Sequence, residues 1–128
     1  MGQVLIVDDD QEIRALVCLT LEEKGYRVTE ATSAVAALDL LRSSQERFVV
    51  LLDYLRPNGD GKQVLQVVSQ DAGLSSRHVY VLLTAHTGLP LSVLVLANTL
   101  YIPVVRKPFE RKLLLATVAQ ALSRLEAG

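Results

Sequence analysis

Apolar residues fall along this chain in two rhythms. Residues 3–7, 48–52, 78–83 and 101–105 are short, mostly apolar runs rich in Val, Leu and Ile. Such runs predict strands buried on both faces. Residues 26–31 alternate and predict one more strand, second in chain order. Between the strands, apolar residues recur every three or four positions. Ile13, Leu16, Val17 and Leu21 form one such stripe, and Val35, Leu38 and Leu41 a second. Val64, Leu65, Val67 and Val68 form a third, and Leu114, Val118, Leu122 and Leu125 a fourth. Each predicts a helix with one face on a core.

Local signals place the ends of these elements. Asp9 followed by Glu12 resembles a capping box at the first helix, and Gly25 is its expected left-handed stop. Ser33 is expected to cap a helix running to about Arg42. Pro57, Gly59 and Gly61 predict a loop over residues 54–61, before a short helix over 62–70. Residues 71–77 read as polar loop. Residues 89–99 predict a helix with almost no polar face, and Pro108 starts the last helix. Five strands thus alternate with five helices. Strands without polar alternation need cover on both sides, so the sheet is parallel and the architecture a doubly wound α/β sandwich of three layers.

Length and composition fit one such domain over residues 1–128. Half of the residues are hydrophobic and 21% charged, so the chain can build a core without staples. The net charge of −1 argues against nucleic acid and anionic membranes as partners. Cys18 is the one cysteine, which excludes an internal disulfide and any multi-cysteine zinc site. A cytoplasmic location fits, and residues 4–7 are too short for a signal peptide. The uncharged stretch from 78 to 105 exceeds the ~20 residues that span a bilayer. Thr84, His86, Gly88, Pro90, Asn98 and Pro103 break it into short pieces, so it is read as strands and a helix.

In a doubly wound sheet, ligands bind beyond the carboxyl ends of the strands. Asp8 and Asp9 stand at the end of the first strand, Asp53 at the third, Thr84 at the fourth, and Lys107 follows the fifth. Read singly, Asp9 is a helix cap, Thr84 a strand-end hydroxyl and Lys107 a surface charge. Read together, three carboxylates need a cation, and hard oxygen donors without His or Cys suit Mg²⁺. A lysine and a hydroxyl beside that metal are what a phosphoryl group requires.

These residues resemble a known family. Val4-Leu5-Ile6-Val7-Asp8-Asp9-Asp10 is similar to the opening of response-regulator receiver domains. So are Asp53 followed by Pro57 and Gly61, Thr84-Ala85, and Lys107-Pro108-Phe109. The resemblance covers essentially the whole chain. It implies a flavodoxin-like sheet of order 2-1-3-4-5 and a phosphorylation switch in two-component signalling. Asp53 would accept a phosphoryl group from a sensor histidine kinase or a histidine phosphotransfer protein. Asp8, Asp9, Asp53 and the backbone carbonyl of Leu55 would hold Mg²⁺. Thr84 would hydrogen-bond the phosphoryl group and Lys107 would pair with it. The domain would be no enzyme beyond self-phosphorylation from small donors and autodephosphorylation.

The chain departs from the family in three places. Arg56 stands where Met is frequent, and Val104 where a switch aromatic is usual. Leu100-Tyr101 replaces a common Gly-Ala. The apolar helix over 89–99 suggests a second buried contact, and a homodimer through it, the fifth strand and the last helix is expected. One rival is a phosphohydrolase using an aspartyl-phosphate, but Leu55 stands where such an enzyme needs a second Asp. Another is a degenerate receiver that acts as an interaction module without phosphorylation. His86 reads as a loop residue at the pocket rim, Arg56 as solvated and Cys18 as packing. The chain ends at Gly128, directly after the last helix. A single-domain regulator and a piece of a larger one both fit.

Overall fold

The computed structural model describes residues 2–8, 10–54, 60–84, 89–106 and 110–127. Its strands are β1 (Gln3–Val7), β2 (Arg27–Ala31), β3 (Val49–Tyr54), β4 (Val79–Thr84) and β5 (Val104–Arg106). Its helices are α1 (Gln11–Glu22), α2 (Ala34–Ser43), α3 (Asp60–Ser69), α4 (Ala72–Arg77), α5 (Leu91–Thr99) and α6 (Arg111–Ala127). All strand pairs are parallel, and their order is β2-β1-β3-β4-β5. The three inner strands are the apolar runs, and β2, whose residues alternate, is an edge.

Side-chain alternation splits each inner strand between two cores. Leu5, Val7, Val50, Leu52, Tyr80 and Leu82 pack with α2, α3, α4 and α5. Val4, Ile6, Val49, Leu51, Val81 and Leu83 pack with α1 and α6 through Val17, Leu21, Leu114 and Val118. Two dry layers of this kind fix the register, because a one-residue slip would exchange them.

Several details differ from the sequence reading. The first helix is capped by Asp10, not Asp9: its side chain accepts from the amides of Glu12 and Ile13. The cause is a turn in which the Asp10 amide donates to Asp8 Oδ1 at 2.8 Å, which delays the helix by one residue. Gly25 is the left-handed stop, at φ 89°. Residues 71–77 are not all loop, since Asp71 caps α4 by accepting from the Leu74 amide, and Leu74 is buried. Val35 faces solvent, and α2 instead lays Ala34, Ala37, Leu38 and Leu41 on the core. Small alanines let that helix sit close to the sheet. The fifth strand is only Val104–Arg106, because the chain leaves α5 through a tight turn at Tyr101. The Pro108 helix start lies outside the described residues.

That turn has the bonding of a Schellman motif. The Ile102 amide donates to the Ala97 carbonyl at 2.8 Å and the Tyr101 amide to Asn98 at 3.2 Å. Its left-handed position, which favours glycine, is held by Tyr101 at φ 57°. The Tyr101 carbonyl accepts from Arg124 of α6 at 2.8 Å, and its side chain is 78% exposed.

Candidate functional site

The strand register assembles the site. Val7 of β1 pairs with Leu52 of β3, so Asp8 and Asp53 come next on adjacent strands. Tyr54 pairs with Thr84, and Thr84 with Arg106, the residue before Lys107. Asp8, Asp53 and Thr84 are all buried. They are three of the four polar or charged residues buried among those described; the fourth is His78. Asp9, Leu55 and Lys107 lie outside the described residues.

Asp8 is held from several sides. Its amide donates to the Ala31 carbonyl at 3.2 Å. Its Oδ1 accepts the Asp10 amide, and its carbonyl accepts Arg14 Nη1 at 2.9 Å. Arg14 also donates from Nε to Glu30 Oε1 at 3.2 Å. Nothing in the periodicity of the first helix singles out Arg14. Its one signal is its place, one turn into the helix that follows the acidic run.

Asp53 is fixed through the main chain of β3 and by the approach of α3. A Cβ on Gly61 would stand 2.4 Å from the Asp53 carbonyl oxygen and 3.0 Å from its carbon. Both are backbone atoms with little room to yield, so glycine is required for close packing here. Tyr54, the next residue, is buried in the core beneath α2 and α3, and burial raises its phenol above the ordinary pKa.

Two buried carboxylates on neighbouring strands repel one another unless a cation lies between them. Their oxygens are hard donors, and no histidine or cysteine joins them among the described residues. This donor set fits Mg²⁺, which binds through one or two carboxylates and retains several waters. Among the described residues no group of three or more His, Cys, Asp and Glu gathers, and Asp9 lies outside them.

Cys18 sits apart, half-buried one turn beyond Arg14. Burial first, then the carboxylates of Glu30 and Glu22, push its thiol up to about 11, which makes it a poor nucleophile. That agrees with a packing role.

A buried acidic pair at the carboxyl ends of β1 and β3, with a buried threonine at the end of β4, is the frame of one family. The model of the response regulator receiver domain matches residues 4–119, and the chain belongs to that family. The chain is 27% identical over 123 residues to the phosphate regulon transcriptional regulatory protein PhoB of Klebsiella pneumoniae, covering 96% of this chain and 52% of the relative. It is 34% identical over 121 residues to the C4-dicarboxylate transport transcriptional regulatory protein DctD of Pseudomonas aeruginosa, covering 94% of this chain and 25% of the relative. It therefore spans about half or less of the length of these relatives. A solved CheY-like receiver domain from Methanospirillum hungatei superposes with a TM-score of 0.84 at 28% identity, over 99% of this chain and 98% of that one.

Proposed function

We propose that this domain, over residues 1–128, is a phosphorylation-dependent switch whose acceptor is Asp53. The observation that carries this reading is the burial of Asp53 beside Asp8 at paired strand ends. A carboxylate restricted by burial gives up less orientational freedom on the way to attack.

The donor is a phosphohistidine of a sensor kinase or histidine phosphotransfer protein. An Asp53 carboxylate oxygen attacks phosphorus, the P–N bond breaks, and the imidazole leaves. The acyl phosphate is later hydrolysed, returning inorganic phosphate. Asp8, Asp9, Asp53 and the Leu55 carbonyl would hold Mg²⁺, which would supply positive charge against the phosphoryl oxygens. Thr84 donates its hydroxyl to one phosphoryl oxygen and Lys107 pairs with another. The site acts once per phosphoryl group and turns over no separate substrate.

The output face is α5 with β5 and α6. Nothing between Leu91 and Thr99 is charged, and Leu91, Leu94 and Val95 are exposed. With Val104 in place of a switch aromatic, the signal travels by movement of α5, which follows the segment after Thr84. A second copy of the chain covers this apolar stripe. No described helix is long and apolar enough to cross a membrane, which suits a cytoplasmic regulator.

Incubation with Mg²⁺ and acetyl phosphate tests the reading by intact mass. The wild type should gain one phosphoryl group and the Asp53→Asn variant none. A wild type that gains nothing, or a variant that gains as much, overturns it.

A further inference from the structure

We propose that Arg14 is a positioning residue that sets the Mg²⁺ affinity of the acidic site through the backbone of Asp8. The proposal rests on the phosphoacceptor reading above.

Val7 is the last residue of β1 and pairs with Ala31 and Leu52. The Asp8 amide bonds to the Ala31 carbonyl of β2, and the Asp8 carbonyl accepts from outside the sheet. That carbonyl belongs to the backbone of Asp8 itself, so holding it limits the orientations open to the Asp8 carboxylate. Arg14 Nη1 takes it at 2.9 Å from α1.

The guanidinium is itself anchored. Its Nε donates to Glu30 at 3.2 Å, and the Arg14 side chain is only 14% exposed. Glu30 lies on β2 opposite Ile6, so one planar group ties α1, the exit of β1 and β2 together. A guanidinium offers several donors in a fixed fork and can serve both partners at once; an ammonium is a single point charge on a flexible stem. Hydrogen-bonding partners behind a metal ligand orient it, and their loss costs about 10- to 100-fold in metal affinity.

Orientation and charge predict opposite outcomes here. Arg14 is a cation close to a cation site. If charge alone mattered, its removal would tighten Mg²⁺ binding. If Arg14 positions the Asp8 peptide, its removal must weaken binding.

The test is calorimetric titration of the 128-residue chain with MgCl₂, accompanied by melting curves without metal. Arg14→Ala should bind Mg²⁺ on the order of tenfold more weakly than wild type. Arg14→Lys, which keeps the charge and one donor to the carbonyl, should recover part of that loss. An Arg14→Ala protein that binds as tightly as wild type, or more tightly, overturns the proposal. Should Arg14→Ala not fold, Arg14→Lys decides by the same measure: weaker binding supports the proposal and unchanged binding overturns it. Failure of the underlying reading looks different, because the wild type itself would then take up no phosphoryl group from acetyl phosphate.

Discussion

Replacing His78 by Phe removes two buried hydrogen bonds while keeping a ring of similar size. His78 Nδ1 accepts the Phe48 amide at 3.0 Å, and its Nε2 faces the Leu41 carbonyl at 3.1 Å. The first bond fixes the tautomer, so Nε2 carries the proton and donates to Leu41. One imidazole thus ties the end of α2 to the residue before β3, and its ring lies 5.8 Å from that of Phe48. Phenylalanine would leave a buried amide and a buried helix-end carbonyl without partners. Each costs about 1–3 kcal/mol, so the variant should lose roughly 2–6 kcal/mol. For a domain of this size that lowers the melting point by about 8–24 °C.

The same residue predicts a pH dependence with a definite sign. Burial lowers the His78 pKa, the nearby charges of Arg77 and Arg47 add to this, and the Leu41 carbonyl works against it. The folded protein therefore holds His78 neutral at pH values where the unfolded chain binds a proton. Its contribution is fully present above about pH 6.5 and is lost as the pH falls below that value. Urea unfolding followed by circular dichroism at several pH values between 7.5 and 5 tests this in both proteins. The stability gap between wild type and His78→Phe should narrow as the pH falls across that range. A gap that stays constant, or widens towards acid, refutes the reasoning.

Three further outcomes follow from the geometry. Gly61→Ala places a methyl group against the Asp53 backbone; it should cost about 1–3 kcal/mol in chemical denaturation and slow phosphorylation by acetyl phosphate, whereas wild-type values in both would contradict the packing argument. Tyr101→Gly relieves the left-handed position at the end of α5 and should stabilise the fold by about 0.5–1 kcal/mol; a destabilised variant would mean the tyrosine side chain is held by packing. Replacing Leu91 and Val95 with Glu should keep the chain monomeric in analytical ultracentrifugation at concentrations where the wild type self-associates, and a wild type monomeric in both phosphorylation states would remove α5 as a contact between copies.

The architecture was legible because each inner strand is apolar on both faces, which only a covered parallel sheet permits. The same rule located Asp8, Asp53 and Thr84, since strand ends are where such a sheet gathers polar groups. What stayed hidden depends on single contacts. Asp9 and Asp10 are equivalent as caps in sequence, and the choice fell to Asp10 through its amide bond to Asp8 Oδ1. Helix α4 was hidden because Gly73, Ser75 and Ser76 are poor helix formers and only Leu74 reaches the core. Val35 looked like core because it is larger than Ala34 and Ala37, yet proximity to the sheet selected the alanines. The left-handed residue after α5 was unforeseen because glycine, its usual signal, is absent at Tyr101. His78 looked like the ordinary start of a strand, and only the fold shows that Phe48 and Leu41 converge on its ring.

Whether Asp53 carries the phosphoryl group can be read chemically. An acyl phosphate is reduced by borohydride, which converts the aspartate that held it into homoserine. The wild-type chain would be phosphorylated with acetyl phosphate and Mg²⁺, reduced, digested and sequenced by mass spectrometry. Homoserine at position 53, absent when Mg²⁺ is withheld, is the predicted result. Homoserine at position 8, 9 or 10, or none at all in a protein of proven native fold, would mean that Asp53 is not the acceptor.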